Sequence, residues 1–172
     1  KKLGREVGLL ADLRGPKIRI NQFVGGRIEL EPGQHFTLDC HYDAAPGDRT
    51  RVGVAYLNLR NDVKRGDTLL LDDGLISMKV DDIVGLEIRC TVIHGGTLSD
   101  RKGLNRLGGG LSVPALTDRD RADVELAAEL GLDFLAVSFA RSAEDMHETR
   151  ALLRKSGSGA ALVAKIERAE SI

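Results

Sequence analysis

The chain has 172 residues, room for one domain of ordinary size or one that carries an insertion. Its 25 lysines and arginines against 26 acidic residues leave a formal charge of −1, and aromatics are only 3% with no tryptophan. That excludes the polybasic face and the stacking platforms of a dedicated nucleic-acid binder. At 42% hydrophobic the composition is that of a folded chain, and its longest charge-free stretch, Leu107 to Thr117, is far below the roughly 18 residues of a membrane span.

Cys40 and Cys90 stand alone, without a C-x-x-C pair, so a reducing compartment, the cytoplasm, is expected. Cys40 beside His41 does not supply the three or four ligands of a zinc site. The opening apolar run, Val7 to Ala11, is too short for a signal peptide. The lack of an initiating Met suggests a chain cut from something longer.

In chain order, residues 6 to 12 (EVGLLAD) read as a strand buried on both faces of a parallel sheet. Arg14-Gly15-Pro16 ends it. From Lys17 to about Arg101 short strand-like runs alternate with turn signals: Gly25-Gly26, Pro32-Gly33, Pro46-Gly47-Asp48, Arg65-Gly66-Asp67 and Asp73-Gly74. Such runs include Gln34–Asp39, Arg51–Tyr56, Thr68–Leu71, Leu75–Val80 and Leu86–Ile93. They predict a small antiparallel barrel or sandwich without a helix. Past Gly108-Gly109-Gly110, read as a hinge, the apolar period lengthens to about 3.6. Thr117 and Asp120 form a capping-box pattern, and Val124, Ala127 and Ala128 form one helix face, with Gly131 as its stop. Leu132–Phe139 reads as a buried strand. A second helix follows, capped at Ser142 and Asp145, with Met146 and Leu153 on its apolar face. Ala161–Ile166 reads as another buried strand. A β-rich module therefore interrupts an α/β one, entering near Pro16 and leaving near Val113.

In parallel α/β sheets functional groups gather at the carboxyl ends of strands. Those ends carry Asp12, Ser138-Phe139, and Lys165 with Glu167. Lys165 and Glu167, two residues apart, point the same way. A carboxylate for a hard divalent cation beside an ammonium for developing negative charge suits phosphoryl transfer, although spacing alone favours a local ion pair at a strand end. Arg14, Lys17 and Arg19 flank a Gly-Pro turn and suit either a phosphate grip or a solvated edge strand. Asp72-Asp73-Gly74 reads as a hairpin turn that can also present carboxylates. The four histidines show no triad pattern and receive no role.

The segments DLRGPKIR (Asp12–Arg19), LLLDDGLISMKV (Leu69–Val80), KGLNRLGGG (Lys102–Gly110), VPALTDRDRADV (Val113–Val124), DFLAVSFARSAEDMHETR (Asp133–Arg150) and AKIERAES (Ala164–Ser171) together resemble pyruvate kinase, in that family's order and spacing, closest to a bacterial branch. The resemblance implies an α/β fold. It is a partial TIM (β/α)8 barrel with an inserted small antiparallel β-barrel lid domain: residues 1–15 around barrel strand three, 16–112 the lid, and 113–172 the helices and strands four and five. It looks like an internal fragment. The implied reaction moves the phosphoryl group of phosphoenolpyruvate to ADP, giving pyruvate and ATP. The alternative is a nucleotide- or phosphate-binding lid module without catalysis.

By motif, Lys165 resembles the lysine that stabilises the transferring phosphoryl and the enolate oxygen, and Glu167 a ligand of Mg²⁺ or Mn²⁺. Asp12 and the backbone carbonyl of Leu13 match two potassium ligands. Arg19, Lys102 and Asp73 match nucleotide-binding residues, and Ser138 and Phe139 the substrate neighbourhood. Lys17 stands where potassium-dependent members carry Glu, so its ammonium would substitute for the monovalent cation and remove the K⁺ requirement. A homotetrameric parent without nucleic-acid or membrane partners is implied, as is a fragment that is inactive alone and self-associates.

Overall fold

The computed structural model describes residues 4–41, 45–167 and 171–172. The chain divides into two compact units, one formed by the segments up to Pro16 and from Val113 onward, the other by Lys17–Ser112.

Within Lys17–Ser112 the strands are β2 (Arg27–Leu30), β3 (His35–Asp39), β4 (Arg51–Gly53), β5 (Thr68–Leu71), β6 (Ile76–Val84), β7 (Glu87–His94), β8 (Gly96–Ser99) and β9 (Leu104–Arg106). Six of them form one sheet in the order β4-β3-β7-β6-β5-β9, antiparallel except for the β3–β4 pair; β2 and β8 pair separately. The segment Ile18–Asn21 closes the sheet on itself. On one side Leu104 N–H donates to the Ile18 carbonyl and Ile20 N–H to the Lys102 carbonyl, both at 3.0 Å. On the other, Asn21 N–H donates to the Gly53 carbonyl at 2.8 Å and Ala55 N–H to the Arg19 carbonyl at 3.0 Å. Closure removes the open edges that would otherwise template pairing with another chain. Period-two alternation sends Phe36 and Leu38 of β3 inward with Leu69, Leu71, Met78, Val80, Ile88 and Cys90, while Thr37 between them is half-buried.

Three strands here, β2, β8 and β9, are absent from the sequence reading. Each has only three or four residues, and β2 and β8 pair with each other outside the six-stranded sheet, so the alternation is too short to register. The expectation of no helix is corrected by α1 (Leu59–Asp62), one turn anchored by the fully buried Leu59, too short to show a period. The β5–β6 hairpin is as expected. Its turn is a short 3₁₀ segment in which Asp72, Asp73 and Gly74 all have positive φ (50°, 54° and 92°), a backbone that Asp tolerates better than most residues.

The other unit contains β1 (Leu10–Asp12), α2 (Asp118–Glu129), β10 (Phe134–Val137), α3 (Ala143–Lys155) and β11 (Ala161–Ala164). Its sheet, β1-β10-β11, is entirely parallel, and β10-α3-β11 is a β–α–β unit. The capping box forms as read: Asp120 N–H donates to Thr117 Oγ1 at 3.1 Å and Thr117 N–H to Asp120 Oδ2 at 2.9 Å. At α3 the Ser142 hydroxyl makes no cap bond; Asp145 instead reaches back to the Arg141 N–H at 2.9 Å. Leu13, Leu116, Val124, Ala127, Leu135, Val137 and Leu153 form the core between the helices and one sheet face.

The expectation of buried strands does not hold for β1, β11 and the start of β10. Leu10 (54%), Phe134 (41%) and Val163 (39%) are exposed on the face away from the helices, because among the described residues only one face is covered.

Candidate functional site

Register decides which side chains meet. Asp12 is opposite Ala136, which is opposite Val163, so residues two further along β10 and β11, Ser138 and Lys165, emerge on the same open face as Asp12. The hydrogen bond from Lys165 N–H to the Val137 carbonyl, 3.0 Å, extends the register past the last ladder residue. Lys165 Nζ then lies 3.0 Å from Asp12 Oδ2, 3.0 Å from Ser138 Oγ and 3.3 Å from Glu167 Oε1. Ser138 Oγ donates to Asp12 Oδ1 at 3.1 Å, and Phe139 N–H donates to Glu167 Oε2 at 3.2 Å. The Asp12 hydrogen bond raises the Lys165 ammonium above the ordinary lysine value; burial opposes this and Glu167 reinforces it. Lys165 is therefore a fixed cation at neutral pH, suited to steadying negative charge rather than to attacking as a free amine.

Below the site, Gly15 (φ 63°) leaves room for the β10 exit: a Cβ there would meet Phe139 Cδ2 at 2.7 Å and the Ser138 carbonyl at 3.1 Å. Gly15 N–H donates to Asp120 Oδ1 at 3.1 Å. Asp120, 1% exposed, thus serves both the α2 cap and the strand exit. Only the cap is visible in the spacing of residues, because a link from residue 120 to residue 15 leaves no local signal.

The remaining candidates lie in the β-rich unit. Lys102 Nζ pairs with Asp72 Oδ1 at 2.8 Å, and Lys17 Nζ stands 3.8 Å from Asp73 Oδ1. Of the two turn carboxylates Asp72 is the more buried, although only Asp73 was singled out by motif. Arg19 Nη1 donates to the Arg101 carbonyl at 2.8 Å and lines an open cavity of about 440 Å³ with Asn21, Gln22 and Arg101. Leu13, in the α/β unit, is buried, and its N–H donates to the Ala136 carbonyl at 2.9 Å.

Among the described residues no group of three or more His, Cys, Asp or Glu is arranged to hold a metal. Glu167 nonetheless fits Mg²⁺, which is commonly held by one or two carboxylates with substrate phosphates and water completing the shell. Among the described residues its oxygens each meet one donor, Lys165 and Phe139. The potassium pair fits less well, since the Asp12 carboxylate is already engaged by Lys165 and Ser138. Cys40 and Cys90 are buried; burial, helped by the charge of Asp81, pushes the Cys90 thiol up to about 12, so it is not a nucleophile. No helix among the described residues is long and apolar enough to cross a membrane.

Comparison with known proteins identifies the family. The family model for the pyruvate kinase barrel domain matches residues 1–172. Pyruvate kinase II of Salmonella typhimurium is 48% identical over 171 residues, 99% of this chain and 36% of that protein. The pyruvate kinase of Haemophilus influenzae is 48% identical over 172 residues, covering 100% and 36%. That of Clostridium perfringens is 39% identical over 177 residues, covering 100% and 37%. The chain thus spans little more than a third of the length of these relatives. With the family model matching all 172 residues and relatives up to about half identical over the whole chain, the chain belongs to the pyruvate kinase family.

Proposed function

We propose that these 172 residues serve a longer pyruvate kinase, which transfers the phosphoryl group of phosphoenolpyruvate to ADP and then protonates the enolate to pyruvate. The observation that carries this reading is the Lys165 ammonium, held by Asp12, Ser138 and Glu167 at the carboxyl ends of three parallel strands. Phosphoryl transfer needs little covalent help from a protein; positioning and charge stabilisation supply most of the rate. The Lys165 ammonium brings fixed positive charge to the oxygen that becomes the enolate, where negative charge grows as the P–O bond breaks. Glu167 is the residue of this chain that would hold a divalent cation, which when bound neutralises phosphoryl charge. Arg19 and Lys102 grip the phosphates of ADP, and Asp73, beside Lys17, is the acidic member of this nucleotide-binding set. Lys17 supplies the positive charge that K⁺ provides in other members, which leaves Asp12 and the Leu13 carbonyl without a potassium ion to bind.

The test is Lys165→Met in the full-length protein. Loss of one transition-state donor lowers kcat by about 10²–10³ with KM little changed. An enzyme with normal kcat refutes the role. Glu167→Ala acts instead through the metal requirement.

A further inference from the structure

Two residues at the exit of β10 have no role in the reaction so far beyond nearness, yet each touches one of the two charged groups at the exit of β11. We propose that Ser138-Phe139 is the positioning element of this site, the Ser138 hydroxyl setting the direction of Lys165 and the Phe139 N–H setting that of Glu167. The proposal rests on the reading of Lys165 and Glu167 given above and adds what aims them.

The hydrogen-bond polarity admits one solution. An ammonium has three protons and no lone pair, so Ser138 Oγ must accept from Lys165 Nζ at 3.0 Å. The single hydroxyl proton is then left for Asp12 Oδ1, 3.1 Å away. With Lys165 also 3.3 Å from that same Oδ1, the three groups close a triangle. Without Ser138, the flexible lysine stem could swing the ammonium around the two Asp12 oxygens at little cost. Ser138 is 3% exposed, so water does not readily take its place.

Phe139 has φ 57°, a left-handed backbone that is strained for a bulky aromatic residue and that the surrounding structure must over-determine. Two contacts do so. The Phe139 N–H holds Glu167 Oε2, and the ring lies where only a glycine at position 15 leaves room. Gly15 is in turn tied through Asp120 to the cap of α2. Fixed contacts thus run from the N-terminus of α2 to both charged groups. Strain retained at a site in this way is a mark of function rather than of folding alone.

The test uses the full 172-residue chain at one pH, with the Lys165 ¹⁵Nζ resonance and its proton exchange read by NMR and Mn²⁺ as the metal probe. In Ser138→Ala the Lys165 signal is expected to move to the position of exposed lysines and its proton exchange to accelerate about tenfold, the worth of one charged hydrogen bond. Circular dichroism and Mn²⁺ affinity should stay unchanged. Ser138→Thr, which keeps the hydroxyl, should restore the signal; Ser138→Cys, nearly isosteric with a weak acceptor, should fall between and serves if the alanine variant does not fold. Gly15→Ala should shift the Phe139 amide resonance and weaken Mn²⁺ binding severalfold. A Lys165 signal indifferent to Ser138→Ala or Ser138→Cys overturns the positioning role. Mn²⁺ binding indifferent to Glu167→Gln would instead overturn the reading of Glu167 while leaving that of Ser138 standing. In the full-length enzyme, Ser138→Ala should lower kcat at nearly constant KM.

Discussion

Asp67→Ala probes whether the β-rich unit is one cooperative closed barrel. Asp67 takes a two-pronged bond from Arg106, Nε to Oδ2 at 2.8 Å and Nη2 to Oδ1 at 3.2 Å, and its Oδ2 also accepts from Lys64 N–H at 2.9 Å. The remaining Arg106 nitrogen, Nη1, donates to the Gly109 carbonyl at 2.9 Å, so one guanidinium ties β9, the start of β5 and the glycine turn together. The side chains are 21% and 11% exposed. Removing one partner of a fully buried pair costs about 3–5 kcal/mol. Arg106 keeps enough exposure to recover some hydration, which brings the expected cost to about 2–3 kcal/mol, or roughly 30- to 150-fold in the local opening equilibrium.

Amide hydrogen exchange reads this directly. Val80 N–H (to the Asp67 carbonyl) and Leu107 N–H (to the Thr68 carbonyl) should lose that much protection. If the barrel is closed as described, Leu104 and Ile20, whose N–H groups form the seam with β9, should lose it too. The pH dependence has a defined sign. Burial alone would raise the Asp67 carboxyl, but the Arg106 bond and the Lys64 N–H outweigh it and hold it below the usual range. A depressed carboxylate stabilises fully above its unfolded value near about 3.9, and that contribution is lost as pH falls through the folded value. The gap between wild type and Asp67→Ala should be constant from about pH 5 to 8 and close below about pH 4. Unchanged protection at all four amides, or a gap that persists at low pH, refutes the clamp. Loss confined to Val80 and Leu107 refutes the cooperative barrel.

Other outcomes follow from the same contacts. Thr117→Ala removes the hydroxyl that accepts from Asp120 N–H, and should lower the stability of the α/β unit by about 1 kcal/mol in thermal circular dichroism, with Thr117→Ser restoring most of it. The 172-residue chain by itself should turn over phosphoenolpyruvate at least tenfold below the roughly 1–100 s⁻¹ usual for kinases, as a coupled assay would show. The full-length protein should be active with Mg²⁺ in the absence of K⁺, and Lys17→Glu should create a K⁺ dependence; strong K⁺ activation of the unaltered protein would sink the substitution idea.

What the sequence made legible is what repeats locally. The α2 cap and its Gly131 stop, the β5–β6 hairpin and the β10-α3-β11 rhythm each lie within about thirty residues, where spacing carries the signal. Lys165 beside Glu167 was legible for the same reason. The assembly of the site was only half legible. Strand ends said which residues would be near one another, but the triangle of Asp12, Ser138 and Lys165 joins positions up to 153 residues apart, and no local pattern specifies it. Burial was misjudged where it depends on what covers a face. GLLA and ALVA are apolar enough to be core, yet apolarity says nothing about whether a second layer is present. The potassium assignment of Asp12 came from motif alone, which cannot see that its carboxylate is engaged by an ammonium.

That uncovered face supports the last prediction. Among the described residues β1 and β11 are the outer strands of the parallel sheet, each presenting an edge with backbone groups directed away from β10. The open face carries Leu10, Phe134 and Val163, which are 54%, 41% and 39% exposed. Exposed apolar side chains beside an open edge favour pairing with a second copy. Sedimentation of the 172-residue chain should therefore show concentration-dependent association in the micromolar range. At high dilution, amides of β1 and β11 should exchange faster than those of β6 and β7. Phe134→Glu, which places a charge on the open face but not in the core between sheet and helices, should suppress association while leaving the helix signal intact. A chain that stays monomeric at several hundred micromolar, with β1 and β11 as protected as β6 and β7, would show that the open face is stable in water and the reasoning wrong.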